Sequence, residues 1–338
     1  MEERTNRRGH KENYVEGFHL KINDLRQRAQ HLRNQYLEKT NIIPTYPRPE
    51  IHVSHLKHDT DQAGLRGIQE EGGFKDPDNS QKLLWWSLAV GPDDITSAEQ
   101  RLLEETYPDQ TQEQAQGQQS FLWNFATSPA FKETSRLGSY RFTFPLEELL
   151  EAYRQQCCSG AQPVMRVFKT ILYKQEVMYV VLVHSPVNQE LSSEYPELTD
   201  DPNAVCVYKD GRFVWRPEAM CETHRYELIQ RPDENLMEVR ELAVKDCEFY
   251  VWDHVAVALH MEEGKVLKFG PDRLRDNLKF CDEDDVKIAK DLIFQGFQEA
   301  EEIVKGLWPD YPAPLEKELP LQQKSDLKPA NTEEEQVH

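Results

Sequence analysis

The sequence predicts an α+β fold: a mixed, twisted sheet of about six to eight strands with flanking helices, plus N- and C-terminal helices packed outside it. Three stretches carry that expectation. VMYVVLVHSP (177–186) is a continuous apolar, largely β-branched run, as a central strand buried on both faces requires. EFYVWDHVAVAL (248–259) is a second strand of the same kind. From Asp282 to Leu307, the residues Val286, Ala289, Ile293, Phe297, Ala300, Val304 and Leu307 fall on one face of an amphipathic helix.

Residues 1–13 are charged and are expected to be disordered. Over 14–40, Phe18, Ile22, Leu25, Ala29, Leu32 and Tyr36 recur at alternating steps of four and three, the seam of a helix. That seam could form a coiled coil or dock on the main domain, and its shortness favours docking. Prolines 44, 47 and 49 end it. One α+β domain is expected over 50–308. It opens with a strand near 51–58, a helix near 61–71 and the apolar run LLWWSLAV (83–90), a strand or a buried helix start. A polar insertion near 91–119 holds a helix from Ser97 to Glu105, then a Gln-rich stretch that reads as an exposed insertion or lid. RFTF (141–144) reads as a strand, and LEELLEAYRQQ as a helix opened by Pro145 with acids in its first turn. VCVYKDGRFVW (205–215) carries a hairpin signal. Residues 312–338 lack apolar content and are expected to be a disordered tail.

The formal net charge is −20, which argues against general binding to a nucleic-acid backbone, since that needs clustered Lys and Arg. A protein partner or acceptor is expected instead, and the oligomeric state is open. No run reaches the roughly 18 apolar residues of a membrane span, and the first residues lack an apolar signal-like core. Six cysteines without a C-x-x-C pair suit reduced thiols, so the expected location is cytoplasmic or nuclear. Adjacent Cys157 and Cys158 could be redox-active, although structural thiols are usually inert. His52, His55 and His58 have a spacing that suits metal ligands on a helix. Pro49 and Val53 favour a strand, where His55 points away from the other two, so no metal site is expected. Cys221 and His224 are close in sequence but lack the helix that would activate a thiol nucleophile.

The chain has no Walker-type, Rossmann, H-E-x-x-H or G-x-S-x-G motif, and only 15 glycines. A cofactor site would have to be built from side chains and strand ends. Residues 51–74, IHVSHLKHDTDQAGLRGIQEEGGF, run from a strand ending in His58-x-Thr60 through a helix with Leu65 and Ile68 to Gly73-Phe74. This element resembles the opening of the ADP-ribosyltransferase fold, the poly-ADP-ribose-polymerase-like branch in particular. Phe125-Ala126-Thr127-Ser128 followed by Ser135 and Tyr140, the run 177–186, and Glu248 within EFYVWD follow in the order that fold uses. The similarity spans roughly residues 50–260, through motifs of two to six residues.

The resemblance implies NAD as a substrate and transfer of ADP-ribose to a macromolecular acceptor. It implies that His58 and Thr60 hold the nicotinamide ribose and carboxamide, that Tyr140 stacks on the ring, and that Ser128 assists. It implies Glu248 as the catalytic carboxylate, stabilising positive charge that develops on the ribose. Asp246 would share its strand face, as a second acid does in the arginine-specific branch. Two positions depart from the pattern. Asp59 replaces the usual small residue between His and Thr, and Asn124 stands where a Tyr commonly precedes Phe-Ala. The competing expectation is therefore a catalytically inactive protein-interaction module of the same or another α+β fold. Each site residue also has a plainer role open to it: His58 as a strand-end polar residue, Glu248 on a solvent face, Tyr140 in packing.

Overall fold

The structure is a computed structural model that describes residues 2–5, 11–16, 45–76, 82–126, 131, 133–173, 176–198, 200, 204–217, 226–242, 254–284 and 292–312. The first elements are β1 (Glu2–Thr5), β2 (Lys11–Glu16), β3 (Ile51–Val53), β4 (His55–Thr60), α1 (Gln62–Glu71), β5 (Gly73–Phe74) and β6 (Leu83–Leu88). They are followed by α2 (Pro92–Thr106), α3 (Gln112–Gly117), β7 (Tyr140–Pro145), α4 (Leu146–Cys157), β8 (Val164–Tyr173), β9 (Glu176–His184) and α5 (Gln189–Ser192). The remainder comprises β10 (Cys206–Lys209), β11 (Arg212–Trp215), β12 (Tyr226–Arg231), β13 (Leu236–Glu241), β14 (His254–His260), β15 (Leu267–Lys268), α6 (Pro271–Asp276), β16 (Leu278–Phe280) and α7 (Phe297–Leu307).

The fold is α+β. Its main sheet has nine described strands in the order β1-β2-β8-β9-β14-β6-β4-β7-β16. The sheet is mixed, because β14 pairs parallel with β9 and antiparallel with β6. The apolar runs at 177–186 and 248–259 thus supply adjacent central strands, the latter described from His254 onward. Both faces of this centre are covered. Tyr179, Val181, Val183, Val255, Val257 and Leu259 join the principal core on one side, while Val180, Leu182, Ala256 and Ala258 form a smaller cluster with Leu83 on the other. A three-stranded sheet β10-β11-β3 and the hairpin β12–β13 lie outside the main sheet.

Local chemistry explains the elements that frame β4. Asp61 caps α1 by accepting a 2.8 Å hydrogen bond from the Gly64 amide, and Leu65 and Ile68 are the buried residues of that helix. The β10–β11 turn has Asp210 at φ 50° and Gly211 at φ 76°, the left-handed pair that a two-residue hairpin needs. Pro145 closes β7 and precedes α4, so the helix begins one residue later than the sequence suggests, with Glu147 and Glu148 in its first turn.

Several expectations change. The two strands at 2–5 and 11–16 stand where disorder over 1–13 and the start of a helix at 14 are expected, and β2 pairs with β8. The rest of the 14–40 helix and the tail beyond 312 lie outside the described residues. Residues 282–284 are extended rather than helical, because Ser135 and Asp284 exchange backbone contact: the Asp284 amide donates to the Ser135 carbonyl at 2.9 Å, and the Ser135 amide to that of Asp282 at 2.9 Å. Val286 and Ala289 lie outside the described residues; residues 292–296 are not helical, and helix α7 starts at Phe297, burying Ala300 and Val304 but leaving Ile293 73% exposed.

The polar insertion is docked at both ends rather than free. The Tyr107 hydroxyl donates to the Leu236 carbonyl at 2.7 Å, and the Gln118 amide exchanges two hydrogen bonds with the backbone of Met237 on β13. Buried Glu99 of α2 accepts from the amides of Phe121 and Leu122 at 2.9 and 2.7 Å and from the Ser120 hydroxyl at 3.2 Å. Glu99→Ala orphans two buried N–H groups and is expected to cost about 2 kcal/mol, read as a lower urea midpoint at unchanged m value.

Candidate functional site

Strand alternation divides the residues of β4 between the two faces of the sheet. Leu56, His58 and Thr60 face the principal core; His55, Lys57 and Asp59 face the other way. Cross-strand register then fixes their neighbours: His58 opposes Phe142, Thr60 opposes Tyr140, Lys57 opposes Thr143 and Ser87, and Asp59 opposes Arg141.

On the core face, the His58 ring meets Phe74 edge-on at 5.2 Å and Trp86 at 5.4 Å. Its Nδ1 lies 2.8 Å from the Trp85 carbonyl, which can only accept, so Nδ1 carries the proton. Burial lowers the pKa of this imidazole, which is neutral at pH 7. Thr60 is half-buried and closely hemmed. A Cβ on Gly64 would fall 1.9 Å from its Oγ1, and one on Gly138, at φ 142°, would fall 2.3 Å from its carbonyl oxygen. Tyr140 is fully buried, with Phe280 edge-on at 6.2 Å; burial raises its pKa to about 12, and its hydroxyl makes no hydrogen bond among the described residues. His58, Thr60 and Tyr140 therefore share one face of two adjacent strands, within the core. Ser128, Thr127, Asp246 and Glu248 lie outside the described residues, as do Cys221 and His224.

Asp59 stands between His58 and Thr60 but does not share their face of the sheet. Its side chain is on the opposite face, clamped by Arg141 through Nε at 2.7 Å and Nη2 at 2.8 Å. Burial alone would raise the Asp59 pKa; the charge of Arg141 and its two hydrogen bonds outweigh that and hold the carboxyl below its usual range. Arg141 also donates to the Thr134 carbonyl at 3.0 Å.

This second face gathers polar groups that sequence reasoning missed. Lys57 is 7% exposed, and burial, with the nearby Arg141 charge, lowers its ammonium pKa to about 8. Ser87 of β6 lies 3.1 Å from Nε2 of His254 on β14. Burial, then the charges of Lys57 and Arg136, push the His254 pKa down to about 3. The available signal was period two: two charged residues alternate with Leu56 and His58 along 55–60, and single polar residues interrupt LLWWSLAV and DHVAVAL.

A separate open groove of about 880 Å³ lies between α4, the start of β8 and the 197–208 region. Leu150, Val164, Met165, Leu198 and Tyr208 supply apolar lining, and Glu147, Glu148, Glu151 and Glu197 supply carboxylates. Glu151 pairs with Arg154, Glu148 with Arg273 and Glu197 with Arg166 at 3.5 Å, while Glu147 has no ionic partner among the described residues.

No group of three or more His, Cys, Asp and Glu side chains among the described residues is arranged to hold a metal ion. Cys157 has its thiol pushed up to about 11, mainly by burial, the reverse of the low pKa that marks a redox-active thiol. No described helix is long and apolar enough to cross a membrane. Comparison with family models, with curated proteins and with solved structures gave no match.

Proposed function

We propose that this chain is a protein-interaction module of α+β fold, without NAD turnover, whose groove beside α4 takes a basic, partly apolar peptide segment. The observation that carries the first half is the enclosure of the His58 ring: Phe74 and Trp86 pack on it and the Trp85 carbonyl takes its N–H. An imidazole committed in this way has little left to offer a dinucleotide, and Tyr140 is too deeply buried to stack on one. The groove supports the second half. Its apolar lining and the unpaired Glu147, with the solvent-exposed carboxylate of Glu197, complement a Lys- or Arg-bearing strand or helix, and the net charge of −20 favours encounter with a basic partner.

The test is fluorescence anisotropy of the full chain with a labelled peptide of alternating leucine and arginine. The expected Kd is about 10–100 µM, and Glu147→Lys with Glu197→Lys is expected to weaken binding roughly tenfold. Equal affinity for a leucine–glutamate peptide, or an unchanged Kd in the double variant, would overturn the reading.

A second reading keeps the ADP-ribosyltransferase-like fold and NAD as substrate. It is favoured by the shared face of His58, Thr60 and Tyr140; the resemblance further requires His58, Tyr140 and Glu248 to converge on one cleft, and Glu248 lies outside the described residues. It needs the Tyr140 ring to leave the core.

A further inference from the structure

We propose that Lys57 anchors a binding site for a small oxyanion group, a carboxylate or a phosphate, on the sheet face opposite His58. A buried ammonium needs a counter-charge or dense hydrogen bonding, because leaving water is otherwise costly. Lys57 is more than nine-tenths buried, and its Nζ has neither a hydrogen bond nor an ion pair among the described residues.

The described groups facing it are these. On β4 and β7, Asp59 has both oxygens engaged by Arg141, so that pair is neutral as a unit. From the loop before β7, Glu133 is 87% exposed and reaches Arg141 at 3.7 Å. Arg136 reaches Asp284 at 3.8 Å, and Asp284 also accepts from the Thr134 hydroxyl at 2.8 Å. Cys281 remains a neutral thiol, its pKa raised by burial to about 12. From β14, His254 is neutral at pH 7. From β8, the Lys169 ammonium lies over the rings of Trp85 and Phe168 at 5.4 and 4.7 Å. Lys57 is thus a buried cation of this face without a hydrogen bond or ion pair of its own among the described residues.

The neighbouring strand offers a second donor. Ser87 is the direct cross-strand partner of Lys57, and its Oγ lies 3.1 Å from His254 Nε2. A neutral His254 protonated at Nε2 donates to that Oγ and leaves the Ser87 O–H free to point at an anion held by Lys57. An ammonium and a hydroxyl side by side suit one oxyanion group, and the near-complete burial limits its size.

Isothermal calorimetry on the full chain tests this, with potassium phosphate and sodium acetate as probes in chloride buffers of matched ionic strength. Saturable binding with a Kd of about 0.1–1 mM is expected for at least one probe. Because an anion raises the pKa of the amine beside it, binding near pH 8.5 should take up protons, seen as heat that changes with the buffer's ionisation enthalpy. Phosphate alone binding identifies a phosphoryl ligand, acetate alone a carboxylate, and both the shared chemistry. Lys57→Met should abolish binding and proton uptake, and Ser87→Ala should weaken binding about fivefold while keeping the uptake. Absence of saturable heat for both probes, binding without proton uptake near pH 8.5, or affinity unchanged in Lys57→Met or Ser87→Ala overturns the site. The Ser87→Ala arm and the wild-type proton uptake decide the matter should Lys57→Met fail to fold.

Discussion

Replacing Arg141 with Met is expected to destabilise the fold by about 3–5 kcal/mol, because it strands the Asp59 carboxylate in the sheet face without its counter-charge. Arg141 is 5% exposed and makes two short hydrogen bonds to Asp59 as well as one to the Thr134 carbonyl. Asp59→Gly leaves the guanidinium unpaired instead, so it is expected to be destabilising too, rather than to open a site for NAD. Removing both charges together, Asp59→Leu with Arg141→Met, should recover most of the loss, since a buried pair contributes less than the penalty for breaking it. Urea midpoints of the two single variants and the double variant form the cycle. A single-variant loss below about 1 kcal/mol would mean that the pair is solvated.

The second large effect is on acid stability. His254 has its pKa lowered from 6.5 to about 3, by burial first and by Lys57 and Arg136 after it, and burial lowers that of His58 as well. For an imidazole depressed in the folded state, protonation favours the unfolded chain. The stabilisation is complete above the unfolded pKa and falls away as pH drops below about 6.5 toward the folded value. His254 alone is expected to remove on the order of 2 kcal/mol between pH 7 and 4.5, after allowance for its partial exposure. The decline should begin near pH 6.5, well above the carboxylate range, because Asp59, held low by Arg141, adds its own loss only at lower pH. His254→Gln keeps a hydrogen-bonding group near Ser87 and should flatten the stability profile between pH 6.5 and 4.5. A profile unchanged by that substitution would mean that His254 is solvated and titrates normally.

The strands at 51–58, 141–144, 177–186 and 248–259 and the β10–β11 hairpin were legible because their signals are local, apolar runs and an Asp-Gly turn, whereas β1, β2 and β8 were not expected. For the strand at 51–58, the direction of its side chains relative to a second element was not legible. Period two says that His58 and Asp59 point opposite ways; only the pairing of β4 with β6 and β7 shows that His58 meets Trp86 and Phe74 and that Asp59 meets Arg141, 82 residues on. The Ser87–His254 contact joins residues 167 apart and has no local signal. Helix periodicity over 282–307 failed at its start for a similar reason. The backbone at 282–284 is claimed by Ser135, a tertiary contact that overrides an amphipathic pattern. The short motifs around Phe125 and Tyr140 carry no signal of depth, and both rings are in the core.

The central claim is that the His58-x-Thr60 face is packed core and that binding takes place elsewhere on the molecule. Calorimetric titration of the full chain with NAD, run with label transfer from labelled NAD, tests it most directly. No saturable heat and no transfer are expected at millimolar NAD, together with a lower melting temperature for His58→Ala from the lost packing against Phe74 and Trp86. Saturable NAD binding that is weakened tenfold or more in a folded His58→Ala variant would contradict it.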